Sequence, residues 1–223
     1  EPLAKAPRPS PVAPRRPFRD QPTFISLYSG CGGLDIGFRW AGFTPVWAND
    51  IDPVALETYR SVLPGHLAVA GDIASLQDRP GCGDADIVIG GPPCQGFSVA
   101  GRMDPKDPRS RHVSTFLDIV AEVKPRAFVM ENVKALATNR RWTTVRDQLI
   151  ERAEELMGAK PRLLVLNASY FGVPQARERM FLIGIRRGEG TLVDPSPITA
   201  TTPPTLRSAL ESLPPYGEPG NDT

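Results

Sequence analysis

Short apolar runs alternate with helical phrases through the middle of the chain, and this alternation restricts the possible folds more than any other feature. FISLY (24–28), PVWAND (45–50), LAVAGDI (67–73), DIVIGG (86–91), RAFVMEN (126–132), RLLVLNAS (162–169) and RMFLIGI (179–185) read as strands. Between the first two, Leu34, Phe38 and Ala41 open a helix face that Gly42 closes. Asp52 caps a second helix, Pro53 occupies its first position, and Ala55, Leu56, Tyr59 and Leu63 share one side. Residues 112–123 and 142–157 carry the apolar stripes of two longer helices, the second through Trp142, Val145, Leu149, Ala153 and Leu156. This pattern predicts a doubly wound, mostly parallel α/β sheet of Rossmann-like type, ending in an antiparallel hairpin. Ligands of such sheets bind beyond the carboxyl ends of the strands.

The ends differ from the middle. Residues 1–22 hold seven prolines and five basic residues against two acidic ones, which predicts a flexible leader. Residues 191–223 again hold seven prolines, around a short helical phrase at 205–213, and read as a connector. Residues 23–190 are left as the folded unit. With 40% apolar and 23% charged residues and no apolar run of about 18 residues, a membrane span is not expected. The net charge of +1 means that a nucleic-acid partner would be held by local patches. Cys31, Cys82 and Cys94 form no paired framework and follow no signal peptide, so a reducing, cytoplasmic setting is expected. Cys31 reads as tight packing and Cys82 as a loop residue. The two histidines, His66 and His112, read as a turn and a helix-start residue, and no metal site is expected.

The chemistry collects at strand ends. Gly30, Gly32 and Gly33 follow the first strand and Asp50 ends the second, an arrangement that admits a nucleoside cofactor to the backbone while a carboxylate takes its ribose. Asp35, in the first helical turn, would compete with a pyrophosphate, which favours S-adenosylmethionine over NAD. Asp72 is placed to accept from an adenine amino group or to cap the residues after it, and Ile51 to face the adenine ring or the core. Cys94 follows the fourth strand in a loop stiffened by Pro92 and Pro93, a nucleophile's position rather than a core one. Glu131 ends the next strand, where a carboxyl can hold a proton on a ring nitrogen. Arg177 and Arg179, two residues apart, share a face and could brace the loop, hold a phosphate or donate to a base carbonyl. Residues 101–111, GRMDPKDPRSR, carry four basic groups, Arg102, Lys106, Arg109 and Arg111, against two acidic ones, and suit a phosphate backbone.

YSGCGGLDIGF, GGPPCQGFS, MENV and NASYFGVPQARERMFLIG together resemble the successive motifs of the DNA (cytosine-5) methyltransferase family, in its order and spacing, over roughly residues 23–190. The resemblance implies that this unit is an S-adenosylmethionine-dependent catalytic domain acting on a cytosine flipped out of double-stranded DNA. Cys94 would add to C6, Glu131 would contact N3 and the exocyclic amine, and C5 would then attack the cofactor's methyl group. Arg177 would contact O2 and Arg179 support the loop. Gln95 and Ser98 would meet the DNA. The cofactor would lie against Tyr28, Ser29, Gly30, Gly32, Gly33, Leu34, Asp50, Ile51, Asp72, Ile73 and Pro92. Tyr28 stands where the family usually has Phe, Asp50 where it has Glu, and Ile51 where many members have an aromatic residue. The family's target-recognition domain and final motifs have no counterpart here, which implies a second polypeptide or a further C-terminal segment, in a bacterial or phage-host setting. A non-catalytic binding module and a tRNA cytosine-5 methyltransferase are the competing readings.

Overall fold

A computed structural model describes residues 21–93, 111–199, 201–211, 213–214 and 217. Its seven strands form one sheet in the order β3-β2-β1-β4-β5-β7-β6. β1 (Thr23–Leu27), β2 (Thr44–Asp50), β3 (Leu67–Ala70), β4 (Ile87–Gly90) and β5 (Ala127–Val133) are mutually parallel. β6 (Arg162–Asn167) and β7 (Glu178–Ile185) are an antiparallel pair, and β7 also runs antiparallel to β5. The doubly wound sheet and its terminal hairpin are as expected from the alternation.

The helices cover both faces. α1 (Gly33–Trp40) and α2 (Pro53–Val62) pack on one side, where Ala48, Leu56, Tyr59, Leu63 and Ala68 form a small cluster. α3 (His112–Val123) and α5 (Thr143–Met157) cover the other, over the larger core of Ile25, Leu27, Val88, Phe116, Phe128 and Met130. β1 serves both faces because its side chains alternate: Ile25 and Leu27 enter the large core, while Phe24 packs on Phe38 of α1 at 5.7 Å between ring centroids. Each such fully buried aliphatic or aromatic side chain stabilises the fold by about 1.5–3 kcal/mol. Asp52 caps α2 by accepting from the Val54 N–H, with Pro53 at the first position as read.

The differences are local. The first helix ends at Trp40, so Ala41 is its exposed C-terminal residue rather than part of the buried face. Cys31 is exposed rather than tightly packed. A five-residue helix, α4 (Lys134–Thr138), and single turns at Arg140–Trp142 and Ala168–Phe171 are too short for periodicity to register. A last short helix, α6 (Leu206–Leu210), occupies the centre of the phrase at 205–213. No helix among the described residues is long and apolar enough to cross a membrane.

Chain order reverses at β1 and β4: from β1 the chain works outward through β2 and β3, then returns to the other side. The crevice of a doubly wound sheet opens at that switch point.

Candidate active site

β1 delivers Tyr28 into a left-handed turn, φ 55°, unusual for a residue with a side chain. The turn is held by its neighbours. The Ser29 N–H donates to the Asn49 carbonyl at 2.9 Å, and the Gly30 N–H donates to Asp50 Oδ2 at 2.7 Å. Asp50 Oδ1 accepts from the Asp52 N–H at 2.9 Å. Asn49 Nδ2 donates to the carbonyls of Val69 and Gly71, joining the end of β2 to that of β3. Gly32 has φ 88°, and a Cβ there would lie 2.9 Å from both Tyr59 Cδ2 and Leu63 Cδ1, so only glycine lets the turn rest on α2.

Beneath the turn lies a polar chain that the sequence reading missed. Asp35 is fully buried. Its Oδ2 accepts from Ser26 Oγ at 2.9 Å and its Oδ1 from the Tyr59 hydroxyl at 2.7 Å. Tyr59 thereby commits its only proton, so His66 Nε2, 2.9 Å from the same oxygen, is the donor of that pair. Burial raises the Asp35 pKa above the usual carboxylate range, against the lowering effect of the Tyr59 and Ser26 hydrogen bonds. Burial, with the charge of Arg39, lowers that of His66. Asp35 therefore has both oxygens engaged by scaffold hydroxyls. Its spacing from Tyr59 and His66 carries no local signal, because the three meet only when α1 and α2 dock.

β5 and β7 build the opposite side. Glu131 pairs across the ladder with Phe181, and its Oε1 lies 2.9 Å from Arg179 Nε. Burial pushes the Glu131 pKa up, against the charges of Arg179 and Arg177 and the hydrogen bond from Arg179. A Cβ on Gly91 would lie 3.2 Å from Glu131 Oε2, so glycine keeps the carboxylate's second oxygen clear. Asn132, next to Glu131 and buried, donates from Nδ2 to the Pro92 carbonyl at 3.1 Å and accepts the Val133 N–H. It ties the start of the proline loop to β5.

A cleft of about 490 Å³ joins the two sides. Tyr28, Ser29, Gly33 and Leu34 line one end, Glu131, Arg177 and Arg179 the other, and Phe171 and Phe181 supply an apolar wall. The two arginines share a face, as their spacing implied. Gly30, Asp50 and Asp72 sit at the adjoining strand ends, Asp72 accepting from the Ala74 N–H at 3.0 Å in a capping arrangement. Ile51 is 70% exposed beside them, not in the core. The Ile73 side chain is 1% exposed and belongs to the large core, and its carbonyl accepts from Arg79 Nη1 at 3.1 Å. Arg111 precedes α3 and is exposed. Cys94, Gln95, Ser98, Arg102, Lys106 and Arg109 lie outside the described residues. His112, read as a mere helix start, places Nδ1 3.2 Å from the Tyr28 hydroxyl and its ring edge-on to the Tyr28 ring. Burial, then the charge of Asp72, raises the Tyr28 pKa, so the hydroxyl keeps its proton.

Residues 22–216 match the profile of the C-5 cytosine-specific DNA methylases. The chain belongs to this family. It is 40% identical over 183 residues to the type II methyltransferase M1.HphI of Haemophilus parahaemolyticus, covering 78% of this chain and 48% of that protein. It is 41% identical over 179 residues to the type II methyltransferase M.AquIA of a Picosynechococcus strain, covering 74% and 72%. Among solved structures it is similar to a candidate DNA modification methyltransferase from an E. coli prophage, with a TM-score of 0.69 at 30% identity over 87% of this chain and 56% of that one. Spodoptera frugiperda DNMT2 follows at a TM-score of 0.59 and 26% identity, over 75% and 51%. The chain spans about half the length of M1.HphI and most of M.AquIA.

Family and fold imply S-adenosylmethionine as the cofactor. The residues present fit it: Ser29 Oγ is buried with no hydrogen-bond partner among the described residues, and a Cβ on Gly33 would meet nothing within 4 Å, so the turn offers a donor and open space. Among the described residues no group of His, Cys, Asp or Glu could hold a metal ion.

Proposed function

We propose that this chain carries the catalytic portion of an enzyme that transfers a methyl group from S-adenosylmethionine to C5 of cytosine in double-stranded DNA. The observation that carries the reading is the single cleft that runs from the glycine turn to the Glu131–Arg179 pair. It brings the glycine turn proposed for the cofactor and the carboxyl and guanidinium groups proposed for a planar base into one space.

Ser29 and the backbone of Gly30, Gly32, Gly33 and Leu34 would hold the cofactor's amino-acid end. Asp50 would take the ribose, Ile51 the adenine face, and Asp72 with the Ile73 backbone the adenine edge. Tyr28 and Pro92 would close the sides. The bound cofactor supplies an electrophilic methyl group. Glu131 does the proton work at the base: a carboxyl biased toward its protonated form hydrogen-bonds N3 while negative charge develops on the ring. Arg179 holds that carboxyl in place, and Arg177 is the donor for O2. Cys94 is the nucleophile that adds to C6, and after methyl transfer removal of the C5 proton expels the thiolate and restores the aromatic ring. Gln95, Ser98, Arg102, Lys106, Arg109 and Arg111 would contact the DNA, so binding weakens steeply with salt. Reading of the target sequence falls to a further segment, on this polypeptide or a second one, in keeping with the half-length match to M1.HphI.

The test is covalent trapping. Duplex DNA carrying 5-fluorocytosine, mixed with the cofactor and this chain together with the segment that completes it, forms a denaturation-resistant complex, and Cys94→Ser forms none. Cofactor binding without trapping would sink the catalytic reading and leave a binding module. Trapping on tRNA but not on duplex DNA would reassign the substrate.

A further inference from the structure

Beyond β7 the chain turns back. Arg162 at the start of β6 makes a forked ion pair with Asp194, both oxygens at 2.7 Å. From that anchor the chain reaches the turn at Ala168–Phe171, where the N–H groups of Ile198 and Thr199 both donate to the Tyr170 carbonyl at 2.9 Å. The Thr199 hydroxyl then bridges the turn. It donates to the Ser169 carbonyl at 2.7 Å and accepts from the Gly172 N–H at 3.0 Å.

That turn is the apolar wall of the cleft, contributing Ala168 and Phe171. It also holds an arginine: the Ala168 N–H donates to the Arg177 carbonyl at 2.9 Å. From inside, Asn167 Oδ1 accepts from the Ser169 N–H and Oγ, which fixes the turn's first residues only. Its far end, at Gly172 with φ 88°, is closed from inside by the Ala168 carbonyl, which accepts from the N–H groups of Gly172 and Val173, and is met from outside by Thr199. A single hydroxyl from a segment that would otherwise be a plain connector thus spans both ends of the wall.

We propose that Thr199 is a positioning residue for the base-binding side of the cleft: it sets the turn at Ala168–Phe171, and through Ala168 the backbone of Arg177. The chain leaving the domain toward residue 200 is thereby coupled to the arginine proposed for the base. A shift of the connector reaches Arg177 at the end of the β6–β7 ladder. The inference rests on the proposed base transfer for its consequence and on the hydrogen bonds for its geometry.

Thr199→Val keeps the shape and removes the hydroxyl, and Thr199→Ser restores it. In the full chain with its completing segment, Thr199→Val should slow trapping of 5-fluorocytosine DNA about tenfold, since small misplacements of positioning groups cost rate. Cofactor affinity, read by calorimetry, should stay within about twofold, because the glycine turn lies across the cleft. Amide hydrogen exchange at Ala168 and Gly172 should accelerate about tenfold, and Thr199→Ser should recover both readouts. Unchanged exchange at Ala168 overturns the proposal, as does equal loss of trapping and cofactor affinity, which would mark general destabilisation. If the unsubstituted protein traps no DNA, the catalytic reading fails, and the exchange result alone decides whether Thr199 sets the turn.

Discussion

The two ends of the cleft each hold a carboxyl group that burial pushes toward its protonated form, yet they treat it oppositely. At the glycine-turn end, Asp35 has no exposed surface and is answered by the neutral hydroxyls of Ser26 and Tyr59. At the base end, the Glu131 side chain is 25% exposed and is answered by the charges of Arg179 and Arg177, with Arg179 in direct contact on one oxygen. Among the described residues no hydrogen-bond donor reaches its Oε2. A carboxylate whose acceptor sites are filled by scaffold donors holds architecture. One with an oxygen left open toward a cleft is available for chemistry.

Exchanging each group for its amide isostere, or removing its partner, tests this division. The largest effect is expected at the open end: Glu131→Gln should lower methyl transfer by about 10²–10⁴-fold, the range for removing a positioned acid or base. Its urea midpoint should barely move, and a parallel loss of stability would break the contrast. At the closed end, Tyr59→Phe strips Asp35 of a donor and leaves a buried acceptor short, which should cost about 1–3 kcal/mol in urea unfolding. No stability change there would show that Asp35 does not need the hydroxyl.

The smallest effect is a slope. Because Asp35 has a raised pKa, the native state binds its proton more tightly than the unfolded chain does. Its contribution is full below the unfolded value of about 3.9 and is lost as pH rises through the folded one. Asp35→Asn has no such term, so its stability deficit relative to the unsubstituted protein should narrow as pH rises from about 4 toward neutrality. A gap that widens instead would mean that the folded protein favours the charged form.

What could be read without coordinates follows the same division. The strands, their turns and the residues at their carboxyl ends were legible, because alternation and glycine placement are local properties and the sheet's topology carries them to one edge. Glu131, Arg177 and Arg179 therefore meet where expected. The helix position of Asp35 was legible, but its partners, 9 residues back and 24 ahead, were not, because they become neighbours only by packing. The Tyr28–His112 contact joins residues 84 apart and left no pattern. Ile73 was assigned by motif position, which carries no sign that its side chain joins the large core. Thr199 lay in a proline-rich stretch whose composition says nothing about where it docks.

The position of β7 bears on how the chain is made. The strand that occupies the interior of the sheet, between β5 and β6, is the last of the described strands to be synthesised. Until residue 185 has emerged, the hydrogen-bonding edge of β5 has no partner and β6 has nowhere to pair. A nascent chain therefore presents an open, apolar strand edge for the whole time that residues 134–185 are being added, the condition under which edge-to-edge association competes with folding. Closure of the β5 edge is a single late insertion, and its rate should set how long that edge stays open to association at high expression.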